Sequence, residues 1–172
     1  MTMLTVVNEN DQVIGKKAGA ELLPTDIYRV ARLLIVNSKG QLLLAQRART
    51  KQKDPGLWGL AVEGTVESRE TYESNIRKEA QEEIGITLGK LELGPRLRMS
   101  GKYNHHCQFF VYRADLDIQN LTLQEEELAV VQWFDVDALR HDVAAHPEIF
   151  GYNFALIAEK AFPYMHSASP TI

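Results

Sequence analysis

A single cysteine, Cys107, stands among the 172 residues, so no intrachain disulfide can form and a thiolate zinc cluster has nothing to build on. Long apolar runs are also missing. Runs such as Leu33-Leu34-Ile35-Val36 fall far short of the roughly 20 residues that span a bilayer. The N-terminus lacks a basic segment followed by an apolar run and a small-residue cleavage site, so a reducing cytoplasm is the expected compartment. Nor is there a surplus of positive charge. The formal net charge of −4 argues against a partner that is a nucleic-acid polymer. No repeat, low-complexity tract or long linker divides the chain.

What is present suits one α/β domain over residues 1–172. Hydrophobic residues make up 45% and charged residues 24%, enough apolar chain for a sizeable core and too little net charge for disorder. Short apolar stretches at 4–8 and 12–15 flank Glu9-Asn10-Asp11 and suggest an N-terminal hairpin over 4–15. A stronger hairpin signal joins 30–36 to 41–46 through Asn37-Ser38-Lys39-Gly40, where Asn and Gly tolerate the backbone of a tight turn. Residues 49–56 read as a loop. Strands are expected at 91–97, 107–112 and 130–134, and helices at 71–84, 135–140 and 149–162, the last closed by Pro163. This order predicts a mixed sheet covered on both faces.

The helix at 71–84 carries the chemistry. Tyr72, Ile76, Ala80 and Ile84 form an apolar stripe, and Glu79, Glu82 and Glu83 cluster along one edge of it. Like charges at i, i+3 and i+4 destabilise a helix by about 0.2–0.5 kcal/mol per pair. A bound dication removes the conflict, because Mg²⁺ and Mn²⁺ prefer hard carboxylate oxygens. A solvated acidic face is the plainer reading, with Lys78 set to pair with Glu82 and Arg77 with Glu73. Spacing alone leaves the two open.

The surrounding residues extend the pattern. Gly64, five residues, Glu70, seven residues, then Lys78-Glu79-Ala80-Gln81-Glu82-Glu83-Ile84-Gly85-Ile86 resembles the box of the Nudix family, Gly-x5-Glu-x7-Arg-Glu-U-x-Glu-Glu-x-Gly-U with U a bulky apolar residue. Two positions of the 64–86 segment depart from it: Lys78 replaces Arg, which loses a forked donor, and Ala80 is a small apolar residue. The N-terminal 6–15 stretch, the 29–44 segment and Asp54-Pro55-Gly56-Leu57-Trp58 are similar to the isopentenyl-diphosphate-isomerase-like branch. Leu60-Ala61-Val62-Glu63-Gly64 lacks the catalytic cysteine of true isomerases.

The resemblance implies a Nudix-type α/β/α sandwich with a mixed central sheet, built around a strand–loop–helix unit. It implies a hydrolase that uses Mg²⁺ or Mn²⁺ to cleave a phosphoanhydride bond in a small diphosphate-containing molecule of the nucleoside diphosphate type. Glu79, Glu82 and Glu83 would face the metal, together with the Glu63-Gly64 carbonyl position and an outlying acid, Glu127, from Glu125-Glu126-Glu127. The general base would be Glu79 or Glu82. Glu70 suits a local role at the helix start, where a carboxylate meets unpaired backbone donors. Among Arg47, Arg49, Lys51 and Lys53, Arg47 is the candidate for substrate phosphates and the others read as solvated. His105 and Cys107 share a strand face, opposite to His106, so the three cannot converge on one ion. Alternatives are an isomerase-like enzyme and a non-catalytic diphosphate sensor. Substrate identity, the number of metal ions and oligomeric state stay open, a homodimer being implied by resemblance alone.

Overall fold

The computed structural model describes residues 2–165. Nine strands, β1 (Met3–Val7), β2 (Val13–Ala18), β3 (Ile27–Val36), β4 (Gln41–Arg47), β5 (Trp58–Leu60), β6 (Val62–Thr65), β7 (Glu92–Met99), β8 (His105–Arg113) and β9 (Leu128–Asp135), form one mixed sheet with three helices, α1 (Tyr72–Ile84), α2 (Val136–Ala145) and α3 (Phe154–Ala161). The expected hairpin over 4–15 is β1–β2, with β2 running three residues further.

β3 is the axis. One edge runs parallel to β8 from Tyr28↔His105 to Val36↔Arg113. The other edge meets three partners in turn: β1 at Tyr28, β6 from Val30 to Leu33, and β4 at Val36↔Leu42. The 30–36/41–46 hairpin is therefore joined only at its tip. Beyond it β4 leaves β3 and pairs instead with β5 and β9. The sheet is split, and the chain crosses the split between β5 and β6 at Ala61, which is fully buried. That crossover places Glu63 and Gly64 where the two halves diverge.

Alternation along β3 feeds two cores. Ala31, Leu33 and Ile35 pack with Ile76, Ala80 and Ile84 of α1, so the stripe read from the sequence is the buried face of that helix. Val30, Leu34 and Val36 face the other way, against Leu139 of α2 and Phe154 and Ile157 of α3. The result is the expected α/β/α sandwich. Arg32 falls on the second face, a charged residue in a row of apolar ones, and is 4% exposed.

The termini of α1 follow from local chemistry. Thr71 caps it: its Oγ1 accepts from the Ser74 N–H, while Ser74 Oγ accepts from the Thr71 N–H. Gly85 ends it in the left-handed conformation at φ 74°, which glycine adopts without steric cost. The C-terminal helix departs from the expected 149–162. Pro147–Ile149 is a single 3₁₀ turn, Asn153 has φ 66°, and α3 begins only at Phe154. The cause is non-local: the Gly151 N–H donates to the Trp58 carbonyl at 2.8 Å, and Phe150 bridges to Trp58. That pairing draws 150–151 out of helical register. Pro163 lies inside a further 3₁₀ turn, Phe162–Met165, rather than at a stop. Among the described residues no helix is long and apolar enough to cross a membrane.

Candidate active site

At the split, Glu63, Gly64, Glu79, Glu82, Glu83 and Glu127 line one hollow of about 380 Å³, with Arg47 and Lys53 on its wall. All six acid and glycine positions that the sequence singled out for metal binding thus meet in one place, and so does Arg47. Gly64 is required by contact rather than by backbone conformation. A Cβ there would lie 2.3 Å from Glu79 Cγ and 2.6 Å from Asn75 Oδ1, so β6 can approach α1 this closely only without a side chain.

The three helix acids sit in different surroundings. Glu83 is 6% exposed, and its Oε2 accepts the Glu63 N–H at 3.2 Å. Burial pushes its carboxyl well above the ordinary range, and the Glu79 and Glu63 charges add to the effect. Glu79 is raised too, first by burial, although Lys78 opposes the shift. Glu82 is exposed and reaches the hollow without a hydrogen-bond partner among the described residues.

Cations hold the rim. Lys51 contacts Glu127 at 2.6 Å, Arg47 stands 4.0 Å from the same carboxylate, and Arg47 Nε donates to the Lys53 carbonyl. Lys53, read from sequence as solvated, instead faces the hollow and lies over the Tyr103 ring at 4.4 Å. Lys51 is likewise paired with a site acid.

Lys78 does not pair with Glu82 as its spacing suggested. It turns the other way, to Glu70 at 2.7 Å, Glu67 at 3.0 Å and Glu79 at 3.4 Å. Burial works against its charge, but the Glu70 and Glu67 carboxylates outweigh that and raise its pKa. The loop before α1 is therefore braced despite the missing guanidinium. Glu70 serves the same brace rather than the helix N-terminus: its Oε2 accepts from the Glu67 N–H and from Asn75, while Thr71 does the capping. Arg77 pairs with Glu73 as expected.

Two site residues were not singled out by the sequence. Arg32 Nε donates to Glu63 Oε2 at 2.9 Å, and the β3–β6 register pairs the two residues directly. Burial would raise Glu63, but the Arg32 charge overrides it, and the carboxyl falls to about 2. Arg32 also contacts His105 Nε2 and Cys107 Sγ, so those two residues do share a face, while His106 points oppositely to the Asn8 carbonyl. Burial and the same guanidinium lower His105 to about 3, and burial raises Cys107 to about 11, so both are neutral at physiological pH. A lone charge at an even position of the Val30–Val36 alternation was the signal for Arg32. The second residue, Asn75, is a fully buried amide on α1 beneath Glu79.

A divalent cation suits this donor set. The hollow offers hard carboxylate oxygens, two of which are driven by burial and mutual repulsion toward holding protons, the expected behaviour of acids short of positive charge. The acids line the hollow without closing on a point: among the described residues no three His, Cys, Asp or Glu side chains form a ready-made cage.

The fold and the hollow define a class, an α/β/α protein in which one helix presents carboxylates at the crossover of a split sheet. Comparison with known proteins gives the family. The NUDIX domain matches residues 27–152. A Nudix hydrolase of Listeria monocytogenes is 30% identical over 151 residues, 84% of this chain and 88% of that protein. An isopentenyl-diphosphate Delta-isomerase of Klebsiella pneumoniae is 25% identical over 163 residues, 90% of this chain and 87% of that protein. A crystal structure from Deinococcus radiodurans shares the fold with a TM-score of 0.79 at 24% identity, over 92% of this chain and 98% of that one. The chain belongs to the Nudix hydrolase family.

Proposed function

We propose that this Nudix hydrolase is Mg²⁺- or Mn²⁺-dependent and cleaves the phosphoanhydride bond of a small nucleoside diphosphate-type molecule by attack of water. One observation carries the reading: Glu79, Glu82, Glu83, Glu127 and the Glu63-Gly64 pair of β6 share a polar hollow with Arg47 and Lys53. Glu79, Glu83, Glu127 and the Glu63 carbonyl would hold the cation. When bound, a divalent ion neutralises phosphate oxygens and acidifies water. The remaining work falls to the chain. Arg47, its guanidinium steadied by the Lys53 carbonyl, and Lys53 itself meet the anionic diphosphate and orient it. Glu82 accepts the proton from the attacking water, being the helix acid that neither a backbone N–H nor Lys78 has engaged.

Incubating the protein with a panel of nucleoside diphosphates, nucleotide sugars and dinucleotides, with MgCl₂ and with EDTA, should give metal-dependent release of phosphorylated products. Glu82→Gln should lower kcat by about 100-fold or more while Mn²⁺ affinity is kept. Retained kcat in that variant would move the proton to Glu79. No turnover of any diphosphate by the native protein would sink the reading. The isomerase alternative finds less support: residues 60–64 carry no cysteine, and Cys107 is buried against Arg32 as a neutral thiol. The same panel, extended to isopentenyl diphosphate, separates bond migration from phosphate release.

A further inference from the structure

Lys78 presents a point charge where a two-pronged grip is needed, because Glu70 has two oxygens to be held. The second prong is Asn75. Its Nδ2 donates to Glu70 Oε2 at 2.8 Å while Lys78 Nζ holds Oε1 at 2.7 Å, so the carboxylate is gripped on both sides by two residues one helical turn apart. The same pair converges again on the metal-facing acid. Glu79 Oε1 lies 3.1 Å from Asn75 Nδ2 and 3.4 Å from Lys78 Nζ. Asn75 also reaches the Thr65 carbonyl at 3.2 Å, which ties in the end of β6. An interior asparagine is a poor helix former and a costly group to bury, since its amide competes with the backbone. At 0% exposure it needs a reason. Three acceptors around Nδ2 fix the direction of the amide, and the price is paid at Oδ1, which faces Gly64 with no partner among the described residues.

We propose that Asn75 and Lys78 act together as a divided guanidinium, a pair of positioning residues that orients Glu79 for the cation by locking it to the 65–70 loop. Neither half suffices. Without Asn75, Glu70 Oε2 keeps only the Glu67 N–H, its tie to α1 on that side is lost, and Glu79 can swing about the Lys78 contact; without Lys78 the loop charge is unbalanced.

The inference rests on the reading of Glu79 as metal-facing, and the test separates the two. Mn²⁺ affinity, followed by electron paramagnetic resonance of the free ion, and steady-state kinetics are measured on the native chain, Asn75→Ala, Lys78→Ala and the double variant. Outer residues that orient metal ligands change affinity by about 10–100-fold. Asn75→Ala and Lys78→Ala should each weaken Mn²⁺ binding by about that factor and lower kcat with KM nearly unmoved. The double variant should lose little more than either, because the halves work as one unit. Lys78→Arg placed on Asn75→Ala should restore most of the Mn²⁺ affinity, since the fork then comes from one residue. Unchanged Mn²⁺ affinity in a folded Asn75→Ala protein, strictly additive losses, or failure of Lys78→Arg to restore binding would each overturn the proposal. Should Asn75→Ala melt too early to assay, Lys78→Ala against Lys78→Arg carries the Mn²⁺ test, and equal affinity in those two overturns it as well. If the native chain binds no Mn²⁺, the metal reading itself fails.

Discussion

Replacing Glu83 by glutamine separates the stability of the helix acids from their use. In the metal-free protein Glu83 is buried, one turn beyond Glu79, and among the described residues its compensation is a single N–H from Glu63. Its carboxyl is raised, so the folded state holds a proton more tightly than the unfolded chain does. The sign follows: metal-free stability falls as pH rises above the unfolded carboxyl value of 4.5, through the raised folded value, and stays lost above it. Glutamine keeps the shape and can still accept from Glu63, but it carries no charge. Relieving an under-satisfied buried polar group is worth about 1–3 kcal/mol. For a domain of this size that raises the melting temperature by about 2–12 °C. Saturating Mg²⁺ should cancel or reverse the difference. The native protein gains about 2.7 kcal/mol at a hundred times the dissociation constant, and the variant, short of a ligand, gains little. The assay is thermal unfolding of both proteins in EDTA and in millimolar MgCl₂, at several pH values between about pH 5 and pH 8. Taking the difference between the two proteins cancels titrating groups that do not interact with Glu83. A variant less stable than native in EDTA above neutral pH, or an equal Mg²⁺ gain in both, would refute the account of the acids as strained carboxylates waiting for a cation.

Two further outcomes follow from the geometry around the crossover. Arg32→Met should cost about 3–5 kcal/mol in urea unfolding, since it leaves the Glu63 carboxylate half-buried beside other acids, and adding Glu63→Gln should recover part of that loss. The pH sign is opposite to that of Glu83: Glu63 is lowered to about 2, so its contribution is present above its usual 4.5 and is lost as pH falls from there toward 2, a limb the Arg32→Met protein should lack. Gly64→Ala should cost about 1–3 kcal/mol of stability, as overpacking does. Its Cβ would displace Glu79 at 2.3 Å, so metal-dependent turnover should fall by about 100-fold, measured as kcat at saturating Mg²⁺.

The parts of this molecule that could be read from sequence are those whose causes are local. Thr71, Gly85 and the Ile76-Ala80-Ile84 stripe lie within one helix, so its bounds and its buried face follow from neighbours in the chain. The alternation along β3 and β8 is equally local. The start of the last helix was not legible, because the Gly151 N–H that ends the preceding turn bonds to Trp58, far away in sequence. Nor was the split of the sheet: nothing in 30–46 announces that β3 and β4 part after Val36↔Leu42 to take other partners.

The site divides in the same way. Spacing put Glu79, Glu82 and Glu83 on one helix edge, while Gly64 and an outlying acid came from the family resemblance, with Glu127 chosen because it directly precedes β9. Spacing misassigned the cations. Lys78 could pair forward with Glu82 or backward with the loop, and helix geometry permits both. What decides is that Glu67 and Glu70 stand on a loop folded against the same face, a fact of tertiary packing. Arg32 shows the converse. Its buried charge breaks an apolar row, which is a local signal, but its role is defined only by Glu63, which comes to face it across the β3–β6 pairing. A buried cation therefore holds one carboxylate of the hollow in its charged form, while burial raises the proton affinity of Glu79 and Glu83.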